Sequence, residues 1–205
     1  MCWNAEVSLN TFIYAIISFF IVIGFNKLPI ITSIISLFVS LIQLYEYFAW
    51  KYIHNEKIIY YLSIFGPLII LLQLLLISYS NFNDKTELII TISLIFIVGI
   101  IWMIYNYYND KFDMKVGENG HLIWYWVDTP LIIMILVFLL YLYPMIRNNN
   151  IYTFIFTSVV LLISLYYYYK YKTWGTMWCY FSNILWIFLI YKSIYLYTID
   201  NKIIK

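Results

Sequence analysis

The run LPIITSIISLFVSLIQLYEYFAW, residues 28–50, decides the fold class, because it is almost entirely apolar and contains a single charged side chain, Glu46. About 20 consecutive apolar residues in a helix cross the hydrocarbon core of a membrane. Ser36, Ser40 and Gln43 recur in this run every three or four residues, which places them on one face of a helix. The run therefore predicts a membrane-spanning helix whose polar face, bordered by Glu46, points into a bundle of other helices.

Six further apolar runs are long enough to span a membrane, and the whole chain is 64% hydrophobic and only 11% charged. Soluble domains carry about 25% charged residues. We therefore predict an all-α polytopic membrane protein, with a bundle of seven transmembrane helices in one transmembrane domain over residues 1–205. The predicted helices cover residues 8–25, 28–50, 58–80, 88–108, 122–144, 152–169 and 178–197.

The distribution of charge leaves the orientation of the chain in the membrane open. Seven crossings divide the 12 Lys and Arg residues equally between the two sides, so the positive-inside rule favours neither orientation. The formal charge of +2 implies no attraction to nucleic acid. The localisation is thus predicted only as an integral, multi-pass membrane protein that contacts membrane lipids, in a membrane that the sequence does not identify.

The polar residues of the predicted helices converge on the side where the chain begins, called the N-terminal side below. On the predicted fifth helix, His121, Trp124 and Asp128 share one face. Glu46 and Asp128 would line one cavity, at least one of them with a raised pKa, because desolvation and like charge both favour the neutral acid. Amide groups would orient a ligand, and indole rings would attract an amphipathic or cationic one. The predicted ligand-binding residues are Gln43, Glu46, Trp50, Asn106, Trp124, Asp128, Trp178 and Asn183.

Simpler explanations exist for the same residues. Trp and Tyr form belts at both membrane interfaces, and Ser and Asn join helices by hydrogen bonds. Glu46 could instead pair with Lys51 or Lys57 among the lipid headgroups, exposed to water. Both interpretations stay open at the level of sequence.

The function that these features favour is binding or translocation of a small molecule or ion through an aromatic-lined cavity. The alternative is a structural or assembly protein that docks a partner helix, which would leave polar stripes on the exterior of the bundle. An intramembrane hydrolase is less favoured, because His54 and His121 show no metal-binding spacing and no nucleophile motif occurs. We predict no cofactor, no bound metal and no catalytic residue.

An internal repeat is a further hypothesis. LIQLYEYF at residues 41–48 and LISLYYYY at residues 162–169 share five of eight residues. Helices one to three would then correspond to helices five to seven, with the fourth as connector. That arrangement resembles the three-plus-one-plus-three bundles of the PQ-loop proteins and the sugar-exporting SWEET transporters.

The first residues, MCWNAEVS, carry the most specific similarity. The chain resembles an uncharacterised family of multi-pass membrane proteins whose members begin Met-Cys-Trp-Ser-Ala, with looser similarity in QLYEYFAWK and at the start of the last helix. Asn4 stands where that family has serine, and the resemblance implies no activity. Cys2 and Cys179 are both expected on the N-terminal side, as two free thiols or as a disulfide if that side is oxidising.

Overall fold

The computed structural model describes residues 4–203, with the side chains of residues 4–200. Within that part the chain is helical apart from one short hairpin and its connections. The helices are α1 (Ala5–Phe25), α2 (Ile30–Lys51), α3 (Glu56–Asn81), α4 (Lys85–Tyr108), α5 (Leu131–Arg147), α6 (Ile151–Tyr168), α7 (Trp174–Ser182) and α8 (Leu185–Ile203). The hairpin strands are β1 (Met114–Val116) and β2 (Leu122–Trp124), followed by a 3-10 turn (Tyr125–Val127).

Six helices in the described part are long and apolar enough to cross a membrane: α1, α2, α3, α4, α6, and α7 and α8 taken together. Large apolar side chains are exposed along all of them, as expected where lipid replaces water as the solvent. This architecture is compatible with an integral multi-pass membrane protein. The 17-residue α5 is the shorter apolar helix.

Polar side chains cap the starts of α1, α3 and α4, since the first backbone N–H groups of a helix lack partners within it. Asn4 accepts from Val7 N (2.9 Å), and Asn55 caps α3 in the same way. Asp84 accepts from the backbone N–H groups of Glu87 and Thr86, and these hydrogen bonds lower the pKa of its carboxyl group.

The tight connection between α1 and α2 depends on Asn26. This residue adopts the left-handed conformation (φ 49°) and its N–H donates to Ile23 O (2.9 Å). Asparagine tolerates that conformation better than most residues. The short break that the sequence shows at Asn26 and Lys27 is thus long enough to reverse the chain.

Helices pack so that their ends meet at two poles of the bundle. At one pole, Lys27 pairs with Asp200 (2.7 Å) and Arg147 makes two hydrogen bonds of 3.0 Å with the Glu87 carboxylate. This pole, where α8 finishes, is called the C-terminal side below. Between the poles, α2 packs against α1, α3 and α7, and α3 against α4 and α5.

The predicted fifth helix, residues 122–144, is wrong at its start. Residues 122–124 pair antiparallel with β1, in the register Met114↔Trp124 and Val116↔Leu122, and α5 begins only at Leu131. Pro130 explains the late start, because proline disfavours the helical conformation of the residue before it. His121, Trp124 and Asp128 therefore do not share a helical face.

The predicted seventh helix, residues 178–197, also differs. It begins earlier, at Trp174, and is interrupted between Ser182 and Leu185. Around the interruption the hydrogen bonds tighten to 3-10 spacing, as in Ile184 N to Phe181 O (3.0 Å). The last membrane-length segment is thus two helices, α7 and α8.

Candidate functional site

The hairpin and the 3-10 turn, residues 114–127, form a plug that inserts into the helical bundle from the N-terminal side. Trp126 at its tip is fully buried (0% exposed). Its ring lies on Gly66, where an added Cβ would be 2.5 Å from Trp126 Cζ2. Because glycine has no side chain, this position leaves room for the indole ring to pack against α3.

Hydrogen bonds hold the tip of the plug. Trp126 Nε1 donates to the Tyr45 hydroxyl (3.1 Å), and that hydroxyl lies 3.2 Å from Met114 Sδ. The Trp126 carbonyl accepts from Trp102 Nε1 (2.9 Å) and Asn106 Nδ2 (3.1 Å). Non-helical backbone inside a membrane bundle needs partners of this kind, and here α4 supplies them.

Aromatic rings surround the plug. Trp124 and Trp126 stack at 5.0 Å with an interplanar angle of 11°, and Tyr45 contacts both rings edge-on. Beside them lies a small cavity of about 40 Å³, lined also by Trp174 and Trp178 of α7. That volume holds only a few water molecules, so this cavity is too small for a drug-sized ligand.

The predicted polar face of α2 is confirmed as buried. Ser33, Ser36, Ser40, Gln43 and Glu46 are all less than 5% exposed. Glu46 is completely buried, so it does not lie exposed among lipid headgroups as the simpler explanation requires. Helix α2, which carries Glu46, packs directly against α7.

The predicted cavity shared by Glu46 and Asp128 is not found. Asp128 forms ion pairs with Lys111 (2.9 Å) and Lys172 (3.1 Å), and its side chain is 39% exposed. Partial burial raises the pKa of Asp128, but hydrogen bonds and charge from the two lysines outweigh it, so the pKa is lowered. Asp128 is therefore not the carboxylate with a raised pKa that the prediction requires. This carboxylate instead ties the end of the plug to the loops after α4 and α6.

Asn183 lies at the interruption between α7 and α8. Its Nδ2 donates to the carbonyl oxygens of Cys179 (3.0 Å) and Tyr180 (3.2 Å), and its backbone N–H also donates to Tyr180 O (3.1 Å). Its Oδ1 lies 2.9 Å from Ser40 Oγ, which also accepts from Trp186 Nε1 (2.9 Å). Sequence reasoning identified Asn183 as a ligand-binding residue but missed that its partner is the serine stripe of α2.

The other predicted residues are distributed among these elements. Asn106 holds the plug, and Trp124 and Trp178 line the small aromatic cavity. The indole N–H groups of Trp50, Trp124 and Trp178 are buried and without hydrogen-bond partners. The structure thus brings Trp178 of α7 to the same small cavity as Trp124 of the plug, and it places Asn183 in a separate network.

A much larger cavity, of about 590 Å³, opens on the C-terminal side. No sequence pattern predicted it. The cavity lies between α2, α3, α5, α6 and α8, and we call it the C-terminal-side cavity. Its polar lining includes Thr32, Ser36, Asn81, Asn148, Thr157 and Lys192. Only the run of asparagines at residues 148–150, beside an apolar helix, hinted at a polar opening here.

Two further expectations concern the N-terminal residues and metal binding. Cys2 lies outside the described residues, and with it the question of a bridge to Cys179, which is a free, buried thiol. Among residues 4–203 no group of three His, Cys, Asp or Glu side chains is arranged to hold a metal ion.

Comparison with known proteins identified no relative of this chain. No family model, no curated protein and no solved structure matches the chain.

Proposed function

We propose that this chain is an integral membrane protein of seven crossings that binds a small molecule in the C-terminal-side cavity and carries it across the membrane. The observation that supports this most is the cavity itself. Its volume of about 590 Å³ lies within the range of about 300–1,000 Å³ found for small-molecule sites. The sequence predicted a binding site on the N-terminal side, whereas this proposal places the binding site on the C-terminal side.

The seventh crossing in this proposal is α5. Its 17 residues span about 26 Å, close to the thickness of the hydrocarbon core, about 30 Å. It begins near Asp128, which pairs with Lys111 just after α4, and it ends at Arg147, which pairs with Glu87 in the first turn of α4. These two contacts favour an α5 that runs the full length of α4 in the opposite direction.

The three-plus-one-plus-three repeat belongs to the same proposal. Helices α5, α6 and the α7–α8 pair would correspond to α1, α2 and α3. In this pairing, the α7–α8 pair is interrupted at Asn183, and α3, a continuous helix, carries Gly66 and Pro67 near its middle. Glycine, proline and helix breaks at corresponding positions of two repeats are typical of transporter binding sites.

The contrast between the two sides supports translocation over simple binding. The plug, whose tip Trp126 is fully buried, occupies the N-terminal side of the bundle, while the C-terminal-side cavity opens past residues 148–150, which are exposed. Alternating access requires one state in which the binding site faces a single side. In our proposal the plug is the gate on the N-terminal side in that state.

A structural or assembly role is the second candidate. Such a protein would present its polar stripe to a partner helix, whereas the stripe of α2 is buried inside the bundle. That burial weighs against the docking function and in favour of a transporter-like one.

Native mass spectrometry of the protein, released from membranes in mild detergent, tests the binding half of the proposal. Thr157→Trp fills the cavity with a larger side chain and should remove co-purified small-molecule adducts. Ser93→Trp places the same ring on an exposed face of α4 and should keep them. An unchanged adduct pattern in Thr157→Trp would contradict binding in this cavity.

Cysteine labelling tests the translocation half. In a variant without native cysteines, Thr157→Cys should react rapidly with a membrane-impermeant maleimide from the C-terminal side and slowly from the N-terminal side. Reaction from the C-terminal side alone, at any temperature, would limit the function to binding.

A further inference from the structure

We propose that the C-terminal-side cavity takes an amphipathic molecule with an anionic headgroup, which Lys192 binds. This inference rests on the proposed function and names the ligand class of the same cavity. It differs from the sequence-based expectation of a cationic ligand, which relied on the tryptophans of the N-terminal side. Of those tryptophans, Trp124 and Trp178 line a different, much smaller space on the N-terminal side.

The charge of the cavity lining is the first reason to expect an anionic ligand. Among the described residues that line the cavity, Lys192 is the only one with a charged side chain. The acidic groups that pair on this side, Asp200 and Glu87, are held by Lys27 and Arg147. Within the described side chains, the Lys192 ammonium makes no ion pair. An anion in the cavity would therefore meet one uncompensated positive charge.

The neutral polar groups around the opening add donors for a headgroup. Asn148 and Asn150 bring side-chain amides to the rim. Asn148 Nδ2 donates one hydrogen bond, to Asn81 Oδ1 (3.2 Å), which leaves its second N–H for a headgroup. Asn150 stands at the start of α6, where its Oδ1 accepts from the Thr153 hydroxyl (2.8 Å) and not from a backbone N–H. The first turn of α6 thus keeps N–H groups that favour negative charge, which adds to the effect of the lysine.

Large apolar side chains also line the deeper part of the cavity, next to Ser36 and Thr157. Ile35 and Val39 of α2, Phe156 of α6, and Phe188 and Leu189 of α8 face the space below the polar rim. A purely polar anion would leave these side chains against water, whereas a hydrocarbon tail would cover them. One positive charge above an apolar floor therefore matches a molecule with an anionic head and an apolar tail.

Fluorescence titration of the protein in phosphatidylcholine nanodiscs tests the proposal, with a dansyl-labelled fatty acid as probe and energy transfer from tryptophan as signal. Laurate should displace the probe, whereas dodecanol and dodecyltrimethylammonium should compete far less. Lys192→Gln should weaken probe binding on the order of three- to tenfold, the value of one partly exposed charge-assisted contact. Lys192→Arg should restore it, and Lys85→Gln, an exposed lysine outside the cavity, should have no effect.

The outcomes distinguish a failure of this inference from a failure of the proposed function on which it rests. If the neutral and cationic chains compete as well as laurate and Lys192→Gln binds normally, the anionic class is wrong while a cavity ligand remains. If Thr157→Trp also leaves probe binding intact, the cavity is not the site and the proposed function fails with it. Nanodiscs with added phosphatidylglycerol distinguish the source of the anion: competition by this lipid supports a membrane ligand, and competition by laurate alone supports a single-chain molecule.

Discussion

Replacing Gly66 by alanine should dislodge the plug. The added Cβ would lie 2.5 Å from Trp126 Cζ2 and 2.8 Å from the Tyr45 hydroxyl oxygen. Ordinary carbon contacts begin near 3.5 Å, so the indole ring would have to retreat by about 1 Å. That shift would also strain the hydrogen bond from Trp126 Nε1 to Tyr45.

The expected cost follows from opposing effects. Overpacking a filled core costs about 1–3 kcal/mol, and a weakened buried hydrogen bond costs about 1 kcal/mol. Replacing glycine by alanine within a helix stabilises the helix by up to about 1 kcal/mol. The net loss is therefore about 1–3 kcal/mol, or a fall in Tm of roughly 2–12 °C for a chain of this size.

Thermal unfolding in detergent, followed by tryptophan fluorescence, measures this loss against two controls. Gly24→Ala meets no atom within 4 Å, so it should be neutral or slightly stabilising. Gly99→Ala meets only the end of the flexible Leu71 side chain (2.8 Å), so it should cost less than Gly66→Ala. In a Trp126→Leu background, the penalty of Gly66→Ala should largely disappear. Equal Tm values for Gly66→Ala and Gly24→Ala would refute the packing of Trp126 on α3.

Three further predictions concern other parts of the chain. Asp128→Asn should lower stability at neutral pH by up to about 1 kcal/mol. Because the pKa of Asp128 is lowered in the folded state, its contribution is present above the unfolded value of about 3.8 and is lost as pH falls below it; melting curves at pH 7 and pH 3 should therefore differ less in the variant. Asn183→Ala should cost about 1–3 kcal/mol, since two carbonyl oxygens lose a donor, and a Tm equal to that of the parent would show that the interruption does not need this amide. Topology reporters at Lys85 and Asn149 should agree with each other and disagree with one at His54; agreement of Asn149 with His54 would mean that α5 does not cross.

The features that could be predicted from the sequence are those that show as a regular spacing of residue types along the chain. The serine stripe of α2 recurs every three or four residues, and the structure buries it. The plug was mistaken for a helix because LIWYWV is a short apolar run, and periodicity cannot distinguish a buried strand from a helix over that length. Pro130, which marks the true start of α5, was the signal that should have carried more weight.

Long-range pairing was beyond the reach of a single sequence. Asp128 binds Lys172 from 44 residues away, and Ser40 binds Asn183 from 143 residues away. Nothing in the local pattern around either carboxylate indicated that Asp128 would be neutralised at the surface while Glu46 is buried. The C-terminal-side cavity was missed for a related reason, because a void depends on how five helices diverge and not on the composition of any one of them.

The position of the plug in the chain also sets an order of assembly during synthesis. Apart from the stacked ring of Trp124, the contacts described above that hold Trp126 come from Tyr45, Gly66, Trp102 and Asn106, all on helices that leave the ribosome before the plug does. Its cover is made last, when α7 places Gly175 against Trp124 and Thr176 donates to Leu122 O (2.9 Å). A nascent chain that ends before α7 should therefore protect Trp126 from a water-soluble quencher while leaving Trp124 accessible.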